Sequence, residues 1–131
     1  MIKRILIAAG PTRERIDPVR FISNYSTGTF GYAMAKEAKR RRLVVTLVSG
    51  PTALKIPNGV KFISVESTID MRRAVLAEFK KADCVVMTAA VADWRPVYSA
   101  KKKIKKSPRK TIELVENPDI LAEIGSKKKN F

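Results

Sequence analysis

Residues 5–11 read Ile-Leu-Ile-Ala-Ala-Gly-Pro, so that five consecutive apolar residues end abruptly at a Gly-Pro pair. A strand that is buried on both faces of a parallel sheet has this pattern, because neither of its faces needs polar residues. Three further runs rich in apolar residues, 43–48, 60–65 and 84–87, end in a similarly abrupt way. Helical patterns separate these runs, and the alternation predicts an α/β fold with a parallel sheet and right-handed crossovers.

Two helices are predicted between the runs. The first has apolar residues spaced i, i+3, i+4 and i+8 and ends in a basic turn at residues 39–42. Its predicted buried face consists of Phe30, Ala33, Met34 and Ala38. The second begins at Ser67, where the sequence Ser-Thr-Ile-Asp is typical of a capping box. Its predicted buried stripe consists of Met71, Val75 and Phe79.

A third helix is predicted near the end of the sequence. Asn117 is a favourable cap residue, Pro118 suits the first helical position, and Gly125 is typical of a helix end. A doubly wound sheet normally continues for another strand or two. We therefore expect residues 126–131 to lie at a truncation point.

The composition restricts the chemistry that the chain can perform. Its 131 residues, 45% hydrophobic and 30% charged, are typical of about one soluble domain. The absence of histidine excludes His-based triads and His-ligated zinc, and the single cysteine, Cys84, excludes an internal disulfide. The apolar run at residues 5–9 is too short for a signal sequence or a membrane span, which predicts a cytoplasmic protein with no membrane partner. The net charge of +15 favours anionic partners.

The connection between the first strand and the first helix, residues 10–27, is unusually long, since roughly 2 to 6 residues are typical at this position. Small residues at the start of the helix, with free backbone N–H groups, could cradle a phosphate. This candidate cradle consists of Ser26, Thr27, Gly28 and Gly31. The fingerprint G-x-G-x-x-G is absent, so glycines that serve only turn geometry and packing are an alternative. Asn24 could hold a carbonyl or an oxyanion, or could be an ordinary turn residue.

A second unusual segment follows the fourth strand. Seven of the ten residues 101–110 are basic, a pattern that is usually a solvated surface. Its place after a strand end favours phosphate binding, because lysines can neutralise a polyphosphate and a departing pyrophosphate. Asp93 could bind ribose hydroxyls or a base, or could cap a turn, and Trp94 is expected to pack internally. Because ligands of open α/β sheets bind beyond the carboxyl ends of the strands, we expect the two connections to converge at one edge.

The motifs of these segments resemble a known family. Residues 8–28 read Ala-Ala-Gly-Pro-Thr-Arg-Glu-Arg-Ile-Asp-Pro-Val-Arg-Phe-Ile-Ser-Asn-Tyr-Ser-Thr-Gly, and residues 89–96 read Ala-Ala-Val-Ala-Asp-Trp-Arg-Pro. Residues 103–106 are Lys-Ile-Lys-Lys, and residues 117–120 are Asn-Pro-Asp-Ile. In this order the motifs are similar to phosphopantothenoylcysteine synthetase, which in bacteria is usually the C-terminal half of a bifunctional coenzyme A biosynthesis flavoprotein. The resemblance implies a Rossmann-like, doubly wound and mostly parallel sheet with helices on both faces.

The resemblance also implies an activity, that of a phosphopantothenate–cysteine ligase. CTP would activate 4′-phosphopantothenate as an acyl-cytidylate with release of pyrophosphate, and the amine of cysteine would then displace CMP. Lys103 would neutralise the nucleotide phosphates, while Asn24 and Arg20 would hold the acyl-cytidylate. Mg²⁺ would accompany the triphosphate, with no protein ligand to the metal assigned. The implied nucleotide site consists of Gly10, Ser26, Thr27, Gly28, Met87, Thr88, Ala89, Asp93, Lys103, Asn117, Pro118, Asp119 and Ile120.

The same resemblance implies the partners of the chain. A single nucleotide-binding synthetase domain would occupy residues 1–131 and lack its C-terminal part, which in the family holds a further strand and a lysine that contacts the nucleotide. The phosphopantothenoylcysteine decarboxylase would be a fused or separate partner, so no FMN is expected in this chain. A homodimer would form through the extended region at residues 103–115. The preference for CTP over ATP is left open.

Two other function classes remain as alternatives. An NAD(P)-dependent Rossmann reductase fits the fold class, but Ser49 and Gly50 stand where a ribose-binding acid is expected at the end of the second strand. A basic nucleic-acid-binding domain fits the charge of residues 101–110, but interleaved aromatic residues are lacking there, and no specific nucleic acid is expected.

Overall fold

The computed structural model describes residues 1–127. Its central sheet has four parallel strands in the order β5-β4-β1-β6, the arrangement of a doubly wound fold. The strands are β1 (Arg4–Ala9), β2 (Glu14–Arg15), β3 (Phe21–Ile22), β4 (Val44–Ser49), β5 (Lys61–Ser64), β6 (Cys84–Met87), β7 (Trp94–Pro96) and β8 (Leu114–Glu116). The helices are α1 (Thr29–Arg40), α2 (Thr68–Glu78) and α3 (Ile120–Lys127). The predicted α/β fold and its four parallel strands are therefore confirmed.

The apolar run of β1 separates two hydrophobic cores. Ile5, Ile7 and Ala9 face α1, whereas Leu6 and Ala8 face α2 and α3. Since successive side chains of a strand point to opposite faces, a central strand that is covered on both faces needs apolar residues at every position. The predicted helices on both faces of the sheet are thus confirmed.

The predicted buried face of α1 is wrong at two positions. Phe30 has 70% of its surface exposed, and Ala33 is exposed too. The buried residues of α1 are Gly31, Tyr32, Ala35 and Ala38. Gly31, in the first turn of the helix, is pressed against Ala9 of the sheet, and this close contact, rather than the largest apolar side chain, decides which face turns inward.

The start of α2 follows the prediction. The Ser67 hydroxyl accepts the backbone N–H of Asp70 at 3.1 Å, and the Asp70 carboxylate accepts the backbone N–H of Ser67 at 3.2 Å. These reciprocal bonds form the predicted capping box. Met71, Val75 and Phe79 are all buried, so the predicted stripe of α2 is confirmed.

The boundaries predicted for α3 are wrong. The helix begins at Ile120, and the carboxylate of Asp119, not the side chain of Asn117, accepts a backbone N–H of the first turn, that of Ala122 at 3.0 Å. Gly125 lies inside the helix, which continues to Lys127. The part of the expected truncation point beyond Lys127 lies outside the described residues.

Each long connection contains a small antiparallel pair that the sequence did not predict. β2 pairs with β3 within the first connection, and β7 pairs with β8 on either side of the basic segment. The pairs give both connections a fixed shape beside the sheet. Over residues 1–127, the structure has no helix long and apolar enough to cross a membrane.

Candidate active site

The two long connections meet at the carboxyl edge of the sheet, between β1 and β6. The Thr12 N–H donates to the Ala90 carbonyl at 3.2 Å, and the Ala90 N–H donates to the Gly10 carbonyl at 2.9 Å. The Thr12 hydroxyl also accepts the Ala92 N–H at 2.9 Å. The chain order reverses at this point of the sheet, where ligands of doubly wound folds bind. The predicted convergence of the two connections is confirmed.

Glycines line the start of α1 at this edge. Gly10 and Gly28 have φ angles of +78° and +80°, a conformation that favours glycine. A Cβ placed on Gly28 would lie only 3.3 Å from the Cα of Gly10. The Thr27 hydroxyl lies 3.4 Å from the Thr29 N–H that donates to it, and Ser26 lies just before it. The structure therefore brings Gly10, Ser26, Thr27 and Gly28 together, as a phosphate cradle would require.

Asn24 links the cradle to the second connection. Its Nδ2 donates to the Ala90 carbonyl at 2.8 Å, and its Oδ1 accepts the Ser26 N–H at 3.0 Å. One N–H of the amide is left for a ligand, because a side-chain amide carries two donor hydrogens. Asn24 is exposed, so that a ligand at this edge could reach it.

A cavity of about 530 Å³ opens between the end of β6 and the start of α3, and we call it the Trp94 cavity. Contrary to expectation, Trp94 is 55% exposed and forms part of its wall, because β7 carries this side chain away from the core. The Asp93 carboxylate, also in the wall, makes no ion pair or hydrogen bond within residues 1–127. The predicted nucleotide-site residues in the wall are Met87, Ala89, Asp93, Asn117, Pro118, Asp119 and Ile120.

Buried polar groups hold the floor of the Trp94 cavity. The Asn117 amide donates to the Ala92 carbonyl at 2.8 Å and accepts Arg95 Nη1 at 2.9 Å. Glu14 is only 2% exposed and accepts the N–H of Thr68 at 3.1 Å, while Asn117 Nδ2 lies 3.5 Å from its other oxygen. Sequence reasoning missed Glu14, because its partners lie more than fifty residues away and no local pattern indicates them.

A second cavity, of about 690 Å³, lies beside the first connection, and we call it the basic cavity. Arg20 and Lys103 both line it, although 83 positions separate them in the sequence. The cavity also contains Lys105, Lys106 and Lys110 but no acidic side chain. Such a lining attracts phosphate groups, which lysines bind as point charges.

The predicted site residues are therefore distributed over three places. The cradle at the start of α1 also adjoins Thr88, whose hydroxyl donates to the Ala8 carbonyl at 2.7 Å. The Trp94 cavity and the basic cavity hold the remaining residues, apart from Asn24 between the connections. A ligand that contacted all of them would extend along the carboxyl edge. Across residues 1–127, no group of three or more Asp, Glu or Cys side chains is arranged to hold a metal ion.

The parallel sheet in this strand order and the ligand site at its point of reversal define an α/β protein of the doubly wound, Rossmann-like class. Within that class, residues 1–131 match the family described as "DNA/pantothenate metabolism flavoprotein C-terminal domain", and the chain belongs to this family. The resemblance predicted from the motifs is thereby confirmed.

Similar proteins cover nearly the whole chain. The Coenzyme A biosynthesis bifunctional protein CoaBC of Vibrio cholerae is 49% identical over 98% of the chain, and that of Bacillus subtilis is 50% identical over 97%. A crystal structure of the C-terminal domain of a CoaBC protein superimposes with a TM-score of 0.87 at 48% identity, covering 98% of this chain and 60% of that one. The chain spans about a third of the length of the curated relatives, 33% and 32% in these two cases.

Proposed function

We propose that this chain is the ligase part of a coenzyme A biosynthesis protein and joins 4′-phosphopantothenate to cysteine with CTP as the activating nucleotide. The observation that carries the proposal is the identity of about half of the residues to CoaBC proteins, over matches that cover 97–98% of the chain. The site geometry adds support, since it offers an anion-binding cradle, an exposed carboxylate and a basic cavity along one edge.

In the first step, a carboxylate oxygen of 4′-phosphopantothenate attacks the α-phosphorus of CTP, and pyrophosphate leaves. A carboxylate is a poor electrophile until its oxygen becomes part of a good leaving group, which the cytidylate provides. Negative charge grows on the departing pyrophosphate, so a cation in place beforehand lowers the barrier. Lys103, exposed in the basic cavity, supplies that charge.

In the second step, the amine of cysteine attacks the acyl carbon, loses its proton to solvent, and CMP leaves with the bonding electron pair. The remaining N–H of Asn24 polarises the acyl carbonyl as its oxygen becomes negative. Arg20 binds the phosphate groups of the acyl-cytidylate from the basic cavity, where its guanidinium is partly exposed.

The nucleotide extends between the cradle and the Trp94 cavity in this proposal. Backbone N–H groups at the start of α1 bind phosphate oxygens, and Asp93 accepts hydrogen bonds from the ribose or the base. Mg²⁺ usually keeps several waters and binds through phosphate oxygens and one or two carboxylates. Mg²⁺ would accompany the triphosphate, take its ligands from phosphate oxygens and water, and neutralise part of the triphosphate charge, with no protein ligand to the metal assigned.

The proposal includes a homodimer. Strand β8 is exposed along its whole length, and the consecutive residues Leu114 and Val115 point to opposite faces, so that both faces of β8 carry exposed apolar side chains. The exposed apolar side chains around this pair are Trp94, Val97, Tyr98, Ile112, Leu114 and Val115. A second copy would cover this surface, and analytical ultracentrifugation measures whether it does. The decarboxylase partner remains part of the proposal by analogy with the bifunctional relatives.

The test of the reaction is mass spectrometry of the products that the protein, at the full length its gene encodes, forms from 4′-phosphopantothenate, cysteine and each of the four nucleotides. We expect 4′-phosphopantothenoylcysteine, CMP and pyrophosphate with CTP. NADPH and mixed-sequence DNA serve as comparison ligands. Saturable NADPH binding without product formation from any nucleotide would refute the ligase.

Two substitutions assign the steps. Lys103→Gln should abolish pyrophosphate release, and unchanged release would remove Lys103 from the mechanism. Asn24→Asp should let an acyl-nucleotide accumulate, because an added negative charge opposes the development of charge on the carbonyl oxygen. Formation of the cysteine conjugate at the parent rate would contradict the role of Asn24.

A further inference from the structure

Asp17 is a buried carboxylate directly behind the basic cavity. It is 1% exposed, and neither of its oxygens reaches the cavity wall. Its Oδ1 accepts the N–H groups of Val19 at 2.9 Å and Arg20 at 2.8 Å. Its Oδ2 accepts the N–H of Ile104 at 3.0 Å and forms an ion pair with the Arg20 guanidinium. All four contacts are donors, so the carboxylate is fully engaged.

These contacts join two distant parts of the chain. Arg20 Nη1 also lies 3.4 Å from the Ile104 carbonyl oxygen, so both backbone groups of Ile104 meet the Asp17–Arg20 pair. Within the described part of the chain, no other hydrogen bond connects residues 101–110 to the rest of the molecule. Lys103 immediately precedes Ile104, so this attachment fixes its position beside Arg20, together with the bond from the Ala100 N–H to the Ile16 carbonyl at 2.9 Å three residues earlier.

The carboxylate is suited to this position in its ionised form. Burial raises the pKa of Asp17, but the backbone N–H groups of Ile104, Val19 and Arg20 and the Arg20 charge together hold it below its ordinary value of 3.8. An asparagine of nearly the same shape would turn an NH₂ group toward donors and lose the attraction to the guanidinium. The position therefore requires a negatively charged acceptor, and a neutral side chain of the same size would not replace it.

We propose that Asp17 is a positioning residue that fixes Arg20 and the segment of Lys103 and Ile104 to each other, and so assembles the basic cavity for the anionic substrate. Its importance for catalysis rests on the proposed function. The residue touches no substrate and acts through Arg20 and Ile104. A displacement of about 1 Å at a reacting centre can lower a rate about a hundredfold, so the loss of this attachment should be visible in kinetics.

The chain offers a matched control in Asp83. This aspartate is exposed, but it accepts the N–H groups of Lys3 and Arg4, each at 2.8 Å, and these bonds lower its pKa as well. It stands before β6 at the amino edge of the sheet, the end opposite the candidate site. Asp83→Asn removes carboxylate acceptance of two backbone N–H groups at an exposed position, without touching the basic cavity.

The experiment compares Asp17→Asn and Asp83→Asn in the protein at the full length its gene encodes. Hydrogen–deuterium exchange is followed in the peptide that contains Ile104, and pyrophosphate release is followed with varied CTP and 4′-phosphopantothenate. In Asp17→Asn we expect faster exchange at Ile104 and a fall in kcat/KM of about ten- to a hundredfold. In Asp83→Asn we expect parent exchange at Ile104 and kcat/KM within about twofold of the parent.

The outcomes separate this proposal from the proposed function. Parent exchange at Ile104 in Asp17→Asn overturns the positioning role, whatever the activity. Faster exchange with unchanged kcat/KM also overturns it, because the attachment would then have no part in the site. If the parent protein releases no pyrophosphate with any nucleotide, the proposed reaction fails, while exchange and inorganic pyrophosphate binding still decide whether Asp17 assembles the cavity.

A second variant covers the case in which Asp17→Asn does not fold. Ile104→Pro removes the N–H that Asp17 accepts and leaves the carboxylate and its contacts with Arg20 in place. It should show the same fall in kcat/KM with a melting temperature near that of the parent. Parent kinetics in this variant would overturn the proposal.

Discussion

The substitution Gly31→Ala should destabilise the protein, because this glycine lies where α1 packs closely against the sheet. A Cβ at this position would lie 2.5 Å from the Cβ of Ala9 and still closer to the Thr88 hydroxyl oxygen. Overpacking a close-packed region costs about 1–3 kcal/mol, and two such approaches in one place suggest the upper end, about 3 kcal/mol. Replacing glycine by alanine in a helix raises the free energy of unfolding by up to about 1 kcal/mol, because alanine has the higher helix propensity. The net prediction is a loss of about 2 kcal/mol, a fall in Tm of about 8 °C for a domain of this size.

Gly125→Ala is the matched control for Gly31→Ala. Gly125 also lies in a helix, but a Cβ there would meet no atom within 4 Å, so only the gain in helix propensity remains. Near the end of α3 this gain should be about 0.5 kcal/mol, a rise in Tm of about 2 °C. Urea unfolding followed by circular dichroism measures both variants. In the Thr88→Ala background the cost of Gly31→Ala should shrink, since one of the two obstructing atoms is gone. A Gly31→Ala protein as stable as the parent would refute the reasoning.

Three further changes test the packing, the capping and the electrostatics. Met71→Ala should lower the free energy of unfolding by about 2–5 kcal/mol, because Met71 is fully buried against the sheet, whereas Met34→Ala, at a partly buried site, should cost less in the same urea titration. Ser67→Ala should lower the free energy of unfolding by about 1 kcal/mol through loss of the capping box. The control Ser64→Ala, at an exposed strand position, should lower it by less than about 0.5 kcal/mol. Equal losses for the two variants in thermal melts would contradict the capping role. Side-chain hydrogen bonds from Arg40 and Arg41 lower the pKa of Glu37 from 4.5 to about 2. Its contribution to the free energy of unfolding is therefore fully present above pH 4.5 and is lost as the pH falls toward 2. Glu37→Gln should therefore flatten the decline of Tm between these pH values, and a decline as steep as that of the parent would exclude the effect.

The sequence predicts most of the sheet because the signals for its strands are local. An uninterrupted apolar run needs only its own residues to indicate a strand covered on both sides, and β1 and β6 lie where those runs lie. The phase of α1 could not be predicted in this way. Its buried face depends on how closely Gly31 approaches Ala9, which belongs to a strand more than twenty positions earlier in the sequence. This contact leaves Phe30 exposed, although the side chain of Phe30 is large and apolar.

The residues of the candidate site also differ in whether local sequence features predict them. Gly28 and Asn24 were found because the length of the first connection and its small residues are local features. The exposure of Trp94 was not predicted, because the direction of its side chain depends on the pairing of β7 with β8. That pair forms across seventeen residues of irregular chain between Pro96 and Leu114. A lone tryptophan after a buried strand carries no information about a partner so far along the sequence.

The first connection contains two buried carboxyl groups, three positions apart, and each supports a different cavity. Glu14 accepts the N–H of Thr68 at the start of α2 and adjoins Asn117 in the floor of the Trp94 cavity. Asp17 holds Arg20 and Ile104 behind the basic cavity. A long loop with few buried contacts would sample many conformations, but burying two carboxyl groups requires every one of their partners to be in place. Residues 14–17 therefore support both cavities, and a substitution at Glu14 or Asp17 should alter the ligand contacts of the cavity that it supports. If the proposed ligand extends along the carboxyl edge, this short stretch would support its contacts in both cavities.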